Sequence, residues 1–279
     1  MPWVRAAGSR AEPLVMLTAY DAAQARLADA SGVDMLLVGD SLAMVVLGHD
    51  DTLSVTVDEM LHHVRAVRRG TSRALLVADM PFGSFHLGPR QAVENALRFV
   101  KEGGAQAVKI EGARPDVIAA LVDAEIPTVA HLGLTPQSLH RFGGFKVQGR
   151  GEEARQAVLE AADAVQAAGA FCVVLECVPA ALAQAVSERL EIPTIGIGAG
   201  VGCDGQVLVF HDLLGIEERL APRFVRRYAH LGQIAREAIA SWAGDVRSRA
   251  FPSAAESYAD PSRPAAEAPD ATVAEKLYG

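Results

Sequence analysis

Cysteine, aromatic side chains and long apolar runs are all scarce in this chain, and each scarcity removes a class of protein. Three cysteines, Cys172, Cys177 and Cys203, are too few for a disulfide framework, and none sits in the CxxC pair of a structural zinc or redox site. They read as buried free thiols. No stretch approaches the roughly 18 consecutive apolar residues that span a bilayer, and the start MPWVRAAGSR lacks the apolar core of a signal peptide. A cytoplasmic protein without a membrane partner is expected. Basic residues are also outnumbered, 26 Lys and Arg against 34 Asp and Glu, and the net charge of −8 opposes phosphate backbones. The basic stretches RAVRRG at 65–70 and RFVRR at 223–227 read as solvated helix faces, and no nucleic-acid partner is expected.

What the chain does have is aliphatic material in a regular rhythm. Half of its 279 residues are hydrophobic, ample for the core of one large domain. Short runs rich in Val and Ile alternate with longer stretches rich in Ala, Arg and Glu, the pattern of strand and helix units around a parallel sheet. Eight runs stand out: LVMLTA from 14, DMLLVG from 34, ALLVAD from 74, AVKIEG from 107, PTVAHL from 127, FCVVLE from 171, PTIGIG from 193 and QVLVFH from 206. The stretch 89–104 reads as a helix opened by Pro89 and closed by Gly103. Eight doubly buried strands with crossovers fit a closed (β/α)8 TIM barrel, with a doubly wound sheet as the alternative. The gap between runs seven and eight is too short for a full helix, so one unit must be irregular. A single barrel over 1–245 is expected, followed by an Ala/Pro-rich tail over 246–279 that is disordered or surface-packed.

In such a barrel the chemistry lies at the carboxyl ends of the strands. There the list is short and acidic: Asp40 and Ser41 after run two, Asp79 after three, Lys109 and Glu111 in four, His131 in five and Glu176 in six. Each acid alone could be a helix N-cap or a strand-end salt bridge. Four carboxylates brought to one mouth would repel each other unless a cation sat among them, and oxygen ligands favour a hard ion such as Mg2+. Lys109 and Glu111 are two apart and so point to the same side of a strand, here inward. The lysine then pairs with a metal-binding acid or reaches a substrate carboxylate or enolate oxygen. His131 is either a catalytic residue or a satisfied strand-end histidine. The run GIGAG at 196–200 suits phosphate contact or close backbone packing; Asp204 and Asp212 read as turn and cap residues.

Taken together, MLTAYD, LLVGDSLAMVVLGHDDTLSVTVDEM, VRRG, ADMPFGSF, VKIEG, HLGLTPQS, FGGFKVQGRG, LECVP, IPTIGIGAG and DGQVLVFHDLLG, in order over about 14–216, closely resemble the ketopantoate hydroxymethyltransferase family of the pantothenate pathway. The resemblance implies a barrel of the phosphoenolpyruvate and pyruvate type, Mg2+, 5,10-methylenetetrahydrofolate as one-carbon donor, and a homodecamer of two pentameric rings. By motif, the metal-site acids fall on Asp40, Asp79 and Glu111. The 2-oxo acid falls to Asp40, Ser41, Asp79 and Lys109, and the proton acceptor to Glu176. The stretch LAMVVLGHD is expected to be a loop over the site, with Gly48 permitting its return.

The chemistry implied is enolisation next to a ketone, with Lys109 near the developing oxyanion and Glu176, among aliphatic neighbours such as Val174, as general base. A Mg2+-dependent lyase or mutase of the same barrel type, such as the isocitrate lyase group, is the rival. Many of those enzymes use a loop cysteine, and neither Cys177 nor Cys203 lies in such a motif. A non-catalytic barrel would have lost one or more of the strand-end acids, and all four are present.

Overall fold

The structure, a computed structural model, describes residues 12–217 and 222–258. The chain divides into two compact units, Met1–Ala229 and His230–Gly279. In the first, eight parallel strands close into a barrel in the order of the sequence. They are β1 Leu14–Thr18, β2 Met35–Val38, β3 Leu75–Asp79, β4 Ala107–Glu111, β5 Thr128–Gly133, β6 Cys172–Glu176, β7 Thr194–Ile197 and β8 Gly205–Leu208. All eight aliphatic runs become strands.

Alternation along each strand sorts the core into two parts. Met16, Met35, Leu75, Val77, Ala107, Val129 and Val174 face the barrel interior as one buried cluster. Their neighbours, such as Leu36, Leu76, Val108, Ile110 and Val173, face the helices as another. Register carries the interior from apolar to charged: Met16 pairs with Met35, Met35 with Leu75 and Val77 with Ala107, whereas one inward step further Asp79 pairs with Lys109 and Glu111 with His131.

Local signals set the helices. Val57–Gly70 is opened by a capping box, Thr56 and Glu59 each bonding the other's backbone amide, and it buries Met60, Leu61, Val64 and Val67 at helical spacing. Its basic stretch is on the outside as expected, with Arg65 bridging Glu102 at 2.7 Å. The helix Pro89–Lys101 buries Ala92, Ala96 and Phe99. It ends two residues before Gly103, whose role is packing: a Cβ there would lie 2.6 Å from the Phe99 carbonyl oxygen and 2.7 Å from Val64. The left-handed turn falls on Gly104, at φ +74°.

Between β7 and β8, residues 198–204 hold no helix, which is the irregular unit that the spacing required. The GIGAG run serves close approach here. A Cβ on Gly200 would lie 2.5 Å from that of Ala180, and one on Gly198 2.9 Å from the Phe224 ring. Asp204 accepts the Thr194 amide at 2.8 Å and its hydroxyl at 3.0 Å, tying β7 to the turn before β8. Asp212, expected as a cap, instead lies within the short helix Phe210–Leu213, whose cap is Val209.

Two further expectations are corrected. LAMV is not a loop but the helix Leu42–Val45, with Gly48 at φ +80° beyond it. RFVRR at 223–227 lies outside any helix; Arg226 there stacks on the Tyr228 ring at 4.5 Å. Cys172 and Cys203 are buried free thiols, and Cys177 is half-buried, its thiol pushed up to about 11 by burial and by Glu176.

The second unit holds the helix Leu231–Ser248 and a short 3-10 turn, Ala254–Glu256, capped by Ser253. The boundary drawn from composition at 246 falls inside that helix, and residues 259–279 of the Ala/Pro-rich stretch lie outside the described residues. Among the described residues no helix is long and apolar enough to cross a membrane.

Candidate active site

β3 and β4 end in the residues that matter first. Asp79 and Lys109 are side by side in register, and Lys109 donates to both carboxylate oxygens of Asp79 at 2.6 Å. The two side chains are 2% and 4% exposed. Burial works against the ammonium, yet Asp79, Glu111 and Asp40 together hold Lys109 above the ordinary lysine range. Asp40 follows β2 and its backbone amide donates to Asp79 at 3.3 Å. Its carboxyl is pushed well above the usual carboxylate range by burial, then by Asp79 and Glu111, against the opposing pull of Lys109.

β4 and β5 continue the row. Glu111 Oε2 accepts the Gln137 amide at 2.9 Å. Its Oε1 is buried without a hydrogen bond, although Lys109 Nζ stands 3.9 Å and His131 Nδ1 3.5 Å away. Burial would raise the Glu111 carboxyl; His131, Lys109 and the Gln137 amide hold it below the usual range. His131, 2% exposed, reaches the other way to Glu176 at the end of β6, with Nε2 3.3 Å from Oε2. Burial and Lys109 disfavour the imidazolium, but Glu111 and Glu176 outweigh them and hold it at about 9. Glu176 is 16% exposed and has His131 beside its carboxylate.

Ser41 starts Leu42–Val45 without a side-chain cap bond. Its hydroxyl instead meets the buried Tyr20 hydroxyl at 2.9 Å. Sequence reasoning missed both Tyr20 and Gln137. The Gln137 side chain donates to Asp40 Oδ2 at 2.8 Å and to the Met80 carbonyl at 3.0 Å. Tyr20 stood inside a quoted motif two residues past β1, at the same mouth. Gln137 follows Pro136 in a 3-10 turn, and no strand register announces a loop residue.

All six residues expected at the site, Asp40, Ser41, Asp79, Lys109, Glu111 and Glu176, stand at the carboxyl ends of β2, β3, β4 and β6. The described residues contain no group of three His, Cys, Asp or Glu already closed around a metal position. The donor set nonetheless suits a hard divalent ion: four carboxylates face two cationic side chains, Asp40 is held against its own ionisation, and Glu111 Oε1 has no hydrogen bond. Mg2+ keeps several waters and needs few protein oxygens, so a closed cage is not required. Beside Glu111 and Gln137 a cavity of about 380 Å3 opens between the loops after β4 and β5, edged by His86, Arg114, Arg141 and Phe142.

In fold the barrel resembles that of a solved member of the phosphoenolpyruvate mutase/isocitrate lyase superfamily. 2,3-Dimethylmalate lyase, a member of it, superposes with a TM-score of 0.57 at 18% identity, covering 88% of this chain and 86% of that one. Phosphoenolpyruvate phosphomutase from Streptomyces platensis subsp. rosaceus does so at 0.58 and 17%, covering 88% and 87%. Such identities fix the fold alone. Sequence goes further: residues 2–254 match the family model for ketopantoate hydroxymethyltransferase. The 3-methyl-2-oxobutanoate hydroxymethyltransferase of Nitratidesulfovibrio vulgaris is 58% identical over 243 residues, 86% of this chain and 79% of the relative. That of Syntrophotalea carbinolica is 57% identical over 86% of this chain and 91% of its own. The chain belongs to the ketopantoate hydroxymethyltransferase family and is a hydroxymethyl-transferring enzyme.

Proposed function

We propose that this enzyme enolises 3-methyl-2-oxobutanoate with the help of Mg2+ and transfers a hydroxymethyl group to it from 5,10-methylenetetrahydrofolate, giving 2-dehydropantoate. The observation that carries the reading is the buried mouth whose four carboxylates outnumber its two cationic side chains. Asp40, Asp79 and Glu111 would hold the ion, which when bound supplies Lewis acidity to the ketone and carboxylate oxygens of the substrate.

The rest is done by side chains. Glu176 takes the proton from C3, and His131 beside it keeps the carboxylate oriented and electrostatically matched. Lys109 offers the positive charge against which negative charge on the substrate oxygens can build. Asp40 and Ser41 orient the 2-oxo acid. The C3 carbanion then bonds to the methylene carbon as that carbon's bond to one folate nitrogen breaks; water replaces the second nitrogen and leaves the hydroxyl, and the two nitrogens take one proton from Glu176 and one from that water as tetrahydrofolate leaves. The cavity edged by Arg114 and Arg141 is suited in size and charge to the anionic folate.

Proton NMR in deuterated water tests the reading. With 3-methyl-2-oxobutanoate alone, loss of the C3 proton signal should require Mg2+; 2-dehydropantoate should form only after methylenetetrahydrofolate is added. Exchange that ignores Mg2+, or product formed without the folate, would overturn it.

A further inference from the structure

Gln137 hydrogen-bonds both Asp40 and Glu111 without being an acid. Its backbone amide donates to Glu111 Oε2 at 2.9 Å and its side-chain amide to Asp40 Oδ2 at 2.8 Å. Asp40 follows β2 and Glu111 ends β4, with β3, which carries Asp79, between those strands in the barrel. A third bond, to the Met80 carbonyl at 3.0 Å, ties the same nitrogen to the turn after β3. One residue of the 3-10 turn Pro136–Ser138 thereby contacts groups at the ends of three strands.

Chemistry fixes which way this amide faces. The Met80 carbonyl can only accept, so only the nitrogen can face it, and the same nitrogen donates to Asp40 Oδ2. The oxygen is left over: Gln137 Oε1 is buried with no hydrogen-bond partner, on a residue 5% exposed. A buried acceptor without a donor is costly, by about 1 to 3 kcal/mol, and calls for a group that is present when the site works.

We propose that Gln137 is the positioning residue of the metal site: it holds Asp40 and Glu111 in the spacing that accepts a divalent cation, and its free oxygen accepts a hydrogen bond from water in the loaded site. This rests on the reading that Asp40 and Glu111 bind Mg2+. Outer partners that orient ligand carboxylates typically contribute 10- to 100-fold to metal affinity. Gln137→Met keeps the length of the side chain and removes both of its polar atoms. Gln137→Asn keeps the amide and withdraws it by one methylene, a gentler variant should the first fold poorly. Neither touches the backbone amide that Glu111 accepts.

Calorimetric titration of the full-length protein with MgCl2, in the absence of either substrate, is the primary measurement. Both variants should bind Mg2+ about 10- to 100-fold more weakly than the parent, with melting temperatures in EDTA close to it. In turnover assays the Mg2+ concentration for half-maximal rate should rise by the same factor, while the rate at saturating Mg2+ returns to within a few-fold. A merely structural role would lower the rate at every Mg2+ concentration, and that result would overturn the proposal. So would parental Mg2+ affinity in both variants, which leaves the metal reading standing. Failure of the parent itself to bind Mg2+ would remove the metal reading and this inference together.

Discussion

The two ends of the barrel interior are built from the same strands and differ in almost everything else. At the amino end the inward layers are Met16, Met35, Leu75, Val77 and Ala107, a dry aliphatic filling. One or two inward positions further along, β3 to β6 present Asp79, Lys109, Glu111, His131 and Glu176, nearly all as deeply buried as the aliphatic layers. The contrast shows that burial here is not a measure of apolarity. The lower layers hold the strands in register, and the upper ones exploit that register to keep like charges close together.

Four measurements would break or sharpen this contrast. The largest effect is expected at the mouth, where Glu176→Gln should slow C3 proton exchange by about 10²- to 10⁴-fold while Mg2+ affinity stays near the parent's. Unchanged exchange, followed by NMR, would remove Glu176 from the role of base. Asp79→Ala should act on both sides of the comparison. It weakens Mg2+ binding in calorimetry, and it leaves Lys109 buried without its 2.6 Å partner, at a cost of about 3 to 5 kcal/mol in urea melts. At the other end, Leu75→Ala should cost about 2 to 5 kcal/mol and leave Mg2+ affinity as it was. A matching loss of metal affinity would show that the two layers are not separable.

The smallest effect concerns a polar device at the amino end itself. Asp29 accepts the amides of Ser72, Arg73 and Ala74 and the Ser72 hydroxyl, just before β3 begins. Burial would raise its carboxyl, but these donors hold it down at about 2. With the folded value below the unfolded one of about 3.9, the stabilisation is fully present above about pH 4 and lost as pH falls through 2. It amounts to about 2 kcal/mol. Asp29→Asn should therefore be destabilised at pH 7, with the gap to the parent shrinking by about half near pH 3; a pH-independent gap would assign the effect to packing.

The strands and the acids were readable in the sequence for one reason: both are periodic. Alternation places Lys109 and Glu111 on one side of β4, and eight aliphatic runs close a barrel whose mouth must then collect Asp40, Asp79 and Glu176. What was not readable lies where periodicity stops. Gln137 sits in a turn, and its partners at Asp40 and Met80 are 97 and 57 residues away. Whether Ser41 caps its helix or meets Tyr20 is decided by packing across β1 and β2.

The helix-free link between β7 and β8 carries a consequence for how the chain could be rewired. β1 pairs with both β2 and β8, so the ring has no seam, and every residue of the acid cluster lies on the stretch from β2 to β6. Val201, in the middle of that link, is 95% exposed. A circular permutant opened there would keep the whole constellation on one unbroken segment, making this link the natural point at which to cut the molecule and insert a reporter.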